Sequence, residues 1–176
     1  MPAGPDELFR RLEAAEARLA AQAADPPPGL TEPDPTTGDR WDAGQAWAHL
    51  AEFVPYWIGQ IRRVIEPGAS EPVSFGRVST DPGRLGAIEA GRVEAPAAQM
   101  ARLGAAIGDA RAFLAGLPID DWRRRGVHPR LGEMDLARIV QQFIVGHLEE
   151  HATQLETLAE ASGVAGEGAD EEGGRR

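Results

Sequence analysis

Proline and glycine cut this chain into separate stretches, and within each stretch apolar residues recur every three or four positions. A repeat of that length places the apolar side chains on one face of an α-helix, so each stretch needs a neighbour to bury its stripe. Residues 5–24 form the first such stretch, with Leu8, Leu12, Ala15 and Leu19 on one face and Pro5 and Asp6 at its start. From 25 to 40, Pro26, Pro27, Pro28, Pro33 and Pro35 with Gly29 and Gly38 exclude any regular element. Asp42 opens a second helix, paired with Gln45 in a capping-box pattern, that should run to about Glu66. Its stripe is broad: Ala46, Leu50, Phe53, Val54, Trp57, Ile58, Ile61 and Ile65, with Pro55 expected to bend it.

A second long connection spans 67–85, marked by Pro67, Gly68, Pro72, Gly76, Pro82 and Gly83; loops of this length inside compact domains are often functional. The spacing then predicts a third helix from about Leu85 to Leu117 through Val93, Ala97, Met100, Leu103, Ile107 and Leu114, kinked or divided at Pro96. After an irregular segment, a last helix runs from about Asp135 to Ala161 and stops at Gly163, with the stripe Leu136, Val140, Phe143, Ile144, His147, His151, Leu155 and Leu158. No strand pattern emerges. The expected architecture is all-α: a four-helix bundle over 1–162 with long loops, followed by a disordered acidic tail, 163–176, rich in Gly, Asp and Glu.

Composition narrows the chemistry. The net charge is −10, every one of the 18 basic residues is arginine, and Cys, Lys and Asn are absent. A cysteine nucleophile, a thiolate metal site, a Schiff-base lysine and a P-loop lysine are therefore excluded. The acidic balance disfavours nucleic acid as a partner, and Arg123, Arg124 and Arg125 follow Asp120 and Asp121 in what reads as a solvated turn. No apolar run approaches the roughly 18 residues of a membrane span, and the first residues lack a secretory pattern, so the expected setting is the cytoplasm, away from membranes.

The four histidines carry the sharpest functional signal. His147 and His151 sit four apart on one helix, a spacing that stacks their side chains so that both rings reach one ion. Both also interrupt an apolar stripe, and a buried polar ring needs a partner. His49, one turn before Phe53 on the inner side of the second helix, is a third candidate ligand. Three neutral imidazoles suit zinc, nickel or iron(II) and leave a coordination position open for Lewis-acid chemistry. The competing reading keeps these rings as hydrogen-bonded core residues, with Glu52 or Glu150 as acceptors and no ion. If the ion is present, Glu52 and Glu150, each three residues after a histidine, are candidates to orient an imidazole or to act as catalytic base, and Gln154 can hydrogen-bond a ligand. Trp41 and Tyr56 are candidates to wall a pocket over the metal. His128, beside Pro129, reads as a surface or packing residue. Since imidazoles must be neutral to ligate, binding is expected to fail below about pH 6.5.

Two segments, WDAGQAWAHLAEF (41–53) and GEMDLARIVQQFIVGHLEEHATQLETL (132–158), resemble the DinB-like superfamily of four-helix bundles, which includes the metal-binding domain of mycothiol-dependent maleylpyruvate isomerases. The first resembles that family's tryptophan followed by a histidine-bearing helix, the second its glycine-containing lead-in and H-x-x-x-H pair. The resemblance implies a metal triad at His49, His147 and His151, and a metal-dependent transferase or isomerase using a low-molecular-weight thiol such as mycothiol, which would replace the cysteine this chain lacks. It also implies a small-molecule substrate and a dimer in some members; if the chain is an enzyme, Arg77 or Arg92 is a candidate to hold an anionic substrate. The alternative is a non-catalytic stress protein that binds a metal or ligand on the same bundle.

Overall fold

The computed structural model describes residues 4–33, 38, 40–69 and 71–170, the last ten as backbone only. Helix α1 (Pro5–Ala24) begins with proline at its first turn, where the missing N–H has no intrahelical role, and buries Leu8, Leu12, Ala15 and Leu19 as the stripe predicts. Helix α2 (Ala43–Val64) starts on the expected capping box: the Asp42 carboxylate accepts from Gln45 N at 2.8 Å, and Gln45 Oε1 accepts from Asp42 N at 3.1 Å. The helix continues through Pro55. Its buried face carries Trp47, Leu50, Phe53, Trp57 and Ile61.

The third expected helix is two. Helix α3 (Pro82–Gly91), capped by Asp81 accepting from Arg84 N at 2.9 Å, ends before helix α4 (Pro96–Ala115), so Pro96 divides the segment by opening a new first turn. Val93 falls in the short connection and is 86% exposed, a correction to its assignment on the buried face. Helix α4 buries Leu103, Ile107, Ala110 and Leu114 against α1 and α2.

The segment expected to be irregular holds a hairpin. Strands β2 (Arg125–His128) and β3 (Gly132–Asp135) pair antiparallel, and β1 (Val73–Ser74) pairs parallel with β2, giving a small three-stranded sheet in the order β1-β2-β3. Gly132, with φ of 74°, makes the turn back. Gly126 admits the Phe75 ring, which an added Cβ would overlap.

The last long helix is interrupted. Helix α5 (Leu136–Val140), capped by Asp135, gives way to a π-helical turn at Gln141–Gly146, then to α6 (His147–Asp170). Gly146 suits the wider turn, because a Cβ there would stand only 3.0 Å from the Gln141 carbonyl oxygen. The helix also runs past Gly163, where a stop was expected: a glycine lowers helix stability by about 1 kcal/mol without forbidding it. Of the expected tail, 163–170 is thus helical and 171–176 lies outside the described residues.

The four-helix bundle consists of α1, α2, α4 and the α5–α6 rod, with α3 and the sheet closing one side against α2. Two forked ion pairs fasten α1 to α6, Arg11 on Glu149 (2.8 and 2.5 Å) and Arg18 on Glu156 (2.8 and 2.6 Å). The chain before α2 is pinned by Thr31, whose N–H donates to the Trp41 carbonyl at 2.8 Å and whose Oγ1 accepts from Trp41 N at 2.9 Å. Among the described residues no helix is long and apolar enough to cross a membrane.

Candidate metal centre

The rod and α2 bring the three predicted histidines together. One ring nitrogen from each of His49, His147 and His151 lies within 4.8 Å of the other two, and His49 Nε2 stands 2.8 Å from His147 Nε2. Metal–nitrogen bonds of about 2.0–2.1 Å in a tetrahedral arrangement separate donors by roughly 3.4 Å, inside that bracket. His49 is buried and the other two are half-buried.

Hydrogen bonding decides which nitrogens face inward. His49 Nδ1 lies 3.2 Å from Glu52 Oε1; an ionised carboxylate only accepts, so Nδ1 carries the proton and Nε2 keeps its lone pair. His151 Nδ1 lies 2.9 Å from Gln154 Oε1, which likewise leaves Nε2 as the free donor atom. Lone pairs converging on one point repel unless a proton or a cation lies between them. This donor set fits a divalent ion of the zinc, nickel or iron(II) type.

Glu52 is itself held. Arg77 donates to both its oxygens, at 2.5 and 2.7 Å, and lies 3.8 Å over the Tyr56 ring. Glu52 thus bridges the His49 ring and the Arg77 guanidinium. Tyr56, expected to wall the metal pocket, instead carries the Arg77 guanidinium and lines neither cavity beside the triad, because Arg77 covers its inner face. Trp41 does form a wall: its ring is edge-on to His49 at 5.1 Å and parallel to His151 at 6.5 Å. Phe53 stacks on His147 with centroids 3.6 Å apart. Arg92 lies away from the triad, paired with Asp42 at 2.5 Å and with Glu89.

Burial pushes the His49 and His147 imidazoles well below their ordinary range; the neighbouring His151 ring and the Arg84 and Arg77 guanidinium groups push the same way. Burial also lowers His151, to about 4, with Gln154 opposing and Arg84 assisting. The rings are thus neutral and ready to ligate well below pH 6.5, which moves the expected acid limit of metal binding downward.

Two cavities of about 380 Å³ each meet at the triad, and His49, His147 and Arg84 line both. The first is walled by Phe53, Trp57, Phe143, Leu131 and His128, with Arg77 and Arg130. The second is the more polar of the two, bordered by Trp41, Thr31, Glu32, Glu150, His151 and Gln154. His128, read from the sequence as a packing residue, is buried in the first wall, with its Nδ1 accepting from Arg130 N and Leu131 N at 3.3 Å. Gly76, with φ of 86°, leaves room for that ring: a Cβ would come within 3.0 Å of His128 Nε2 and 3.2 Å of Trp57 Cη2. Sequence reasoning missed Arg84 and Arg130, since neither belongs to a recognisable spacing.

The fold is similar to that of YfiT from Bacillus subtilis, a probable metal-dependent hydrolase with an unusual four-helix bundle topology, at 20% identity and a TM-score of 0.68, over 90% of this chain and 87% of that one. It is also similar to the mycothiol-dependent maleylpyruvate isomerase, at 10% identity and a TM-score of 0.67; the match covers 87% of this chain and 61% of the isomerase, so the chain spans about three-fifths of that enzyme. An uncharacterized protein from Clostridium difficile 630 is similar at 9% identity and a TM-score of 0.63, over 91% and 98% of the two chains. At these identities the likeness is one of fold. Among curated proteins none matches. Residues 6–155 match the DinB superfamily, most of the bundle and all three histidines included, and the chain belongs to that superfamily.

Proposed function

We propose that this protein is a metal-dependent enzyme, a transferase, isomerase or hydrolase, in which His49, His147 and His151 hold a divalent ion and a small nucleophile is activated beside it. The nucleophile is a low-molecular-weight thiol, mycothiol or a relative, or water; with no cysteine in the chain, a thiol must come from a cosubstrate. The observation that supports this most is the pair of hydrogen bonds that His49 Nδ1 and His151 Nδ1 donate to Glu52 and Gln154, which turn two Nε2 lone pairs toward the third ring. When bound, the ion supplies Lewis-acid stabilisation of a thiolate or hydroxide. The names of two structural relatives, a probable metal-dependent hydrolase and a mycothiol-dependent isomerase, support the same class of chemistry.

The chain's own residues set the rest of the reaction. Glu52, clamped by Arg77, holds His49 in the ligating tautomer. Gln154 does the same for His151, and Trp41 shields both rings from solvent. Glu150 borders the polar cavity with no ion-pair partner among the described residues, so its carboxylate is available to take a proton from an incoming thiol or water. The substrate is a small molecule, since each cavity suits one and neither suits a polymer.

Elemental analysis of the unstripped protein, followed by cobalt substitution, tests the reading. One equivalent of metal, a visible spectrum lost in His147→Ala, and a new thiolate band on adding a small thiol are expected. Substoichiometric metal, or a cobalt spectrum that neither thiol nor pH changes, would remove the proposal.

A further inference from the structure

The two cavities that meet at the triad differ in charge. The acidic chain has 28 Asp and Glu against 18 Arg, yet among the described residues no carboxylate lines the first cavity, while Arg77, Arg84 and Arg130 all do. The second carries Glu32 and Glu150 against Arg84 alone. Within the first, Arg77 is already matched by Glu52, whereas Arg130 is exposed and has no carboxylate partner among the described residues. Arg84 donates to the Ser79 carbonyl at 2.9 Å, spans the boundary between the cavities and lies 5.1 Å over the Trp41 ring.

The remainder of the first wall is aromatic and aliphatic. Trp57 and Phe143 stack with centroids 4.0 Å apart and planes 12° from parallel, and Phe53 lies beside Trp57 at 5.7 Å. Val78 and Leu131 also line it, 38% and 46% exposed. Apolar walls with a few placed cations are the chemistry of a site for a ligand with a hydrophobic body and one anionic end.

From this asymmetry we propose that the first cavity is the subsite for a small carboxylate with a flat apolar body. The carboxylate sits on Arg130 and Arg84, and the body lies along Trp57, Phe143 and Phe53, directed at His49 and His147. The polar cavity is left to the nucleophile. The assignment of a substrate rests on the triad being a reaction centre, but the binding itself belongs to the arginines and aromatic rings and is measurable without metal.

Calorimetric titration of the full-length protein, chelator-treated and zinc-loaded, with 3-phenylpropanoate, its neutral amide and acetate makes the test. The acid should bind the metal-free protein about tenfold or more tightly than the amide, and acetate should bind much more weakly than the acid. Arg130→Gln and Arg84→Gln should each weaken the acid by about tenfold and leave the amide unchanged. Equal binding of acid and amide, no effect of either arginine, or no binding at all overturns the subsite. So does binding of the acid only when zinc is present, which would make it a ligand of the ion. If instead zinc fails to bind while the acid keeps its preference, the metal reading falls and the subsite stands.

Discussion

Proton competition at the triad gives the most quantitative check on the metal centre. An imidazole with its ordinary pKa near 6.5 is about ten to one protonated at pH 5.5. Three such rings, titrating independently, would lower apparent metal affinity by about a thousandfold between pH 7.5 and 5.5, because every ligand must be neutral. In the folded chain burial lowers all three, His49 and His147 well below their ordinary range and His151 to about 4. A ring titrating there is only about 3% protonated at pH 5.5, so the expected loss is less than about twofold. Depressing a ligand's pKa weakens the competing proton, and the acid limit of binding moves from near 6.5 to near 4. Zinc affinity measured against a chelator of known proton affinity, at pH 7.5 and 5.5, reads this directly. A hundredfold or larger drop would show that the rings are solvated and free, which the packing of Phe53 and Trp41 on them contradicts.

The same shifts act on the metal-free fold. Its histidines titrate lower when folded than when unfolded, so the unfolded state binds more protons: the stability is full above about pH 6.5 and declines as pH falls toward 4, a slope that thermal melts of stripped protein should show and zinc should flatten. Glu52→Gln should lower zinc affinity by about 10- to 100-fold while the fold persists, because His49 loses its anionic acceptor and Arg77 its partner; unchanged affinity in a competition titration would remove Glu52 from the site. Gly76→Ala forces a side chain into the left-handed region against His128 and Trp57, and should destabilise the protein by about 1–3 kcal/mol in urea unfolding. A neutral outcome would mean that the 75–79 loop does not form the wall described.

Local signals were legible in this sequence and non-local ones were not. The Asp42–Gln45 capping box and the Leu8–Leu19 stripe are decided within a turn or two, and both stand as read. The convergence of the three histidine rings was legible in the same way, because two share a helix face and the third lies one turn before Phe53 on the inner side of its helix. The sheet is different: β1 has two residues and finds β2 some fifty positions later, too short and too distant for an alternating pattern to register. The π-helical turn leaves no mark because an i, i+3, i+4 stripe tolerates one wide turn. His128 looked peripheral beside Pro129, and only the pairing of β2 with β1 puts it over Gly76, inside the cavity wall.

Charge balance distinguishes Glu52, clamped beside the triad, from Glu150, which borders the second cavity with no ion-pair partner among the described residues. Neutral imidazoles bring no negative charge, so a dication among them would be offset only by Glu52, and Arg77 cancels Glu52. Arg84, lining both cavities, adds positive charge. Such a centre favours the anionic form of whatever enters, and the one described carboxylate lining the second cavity beside His151 with neither an ion-pair partner nor a competing arginine at hydrogen-bond distance is Glu150. Glu150→Gln should therefore slow proton transfer from an entering thiol yet favour the thiolate at equilibrium, lowering the pH midpoint of the cobalt–thiolate band by less than about one unit given the exposure of that side chain, and leave 3-phenylpropanoate binding unchanged. Arg130→Gln should do the reverse, weakening the carboxylate and leaving the midpoint where it was. If both substitutions moved the same quantity, the two cavities would be one site, and a division of labour between them could not be the reason for their opposite charge.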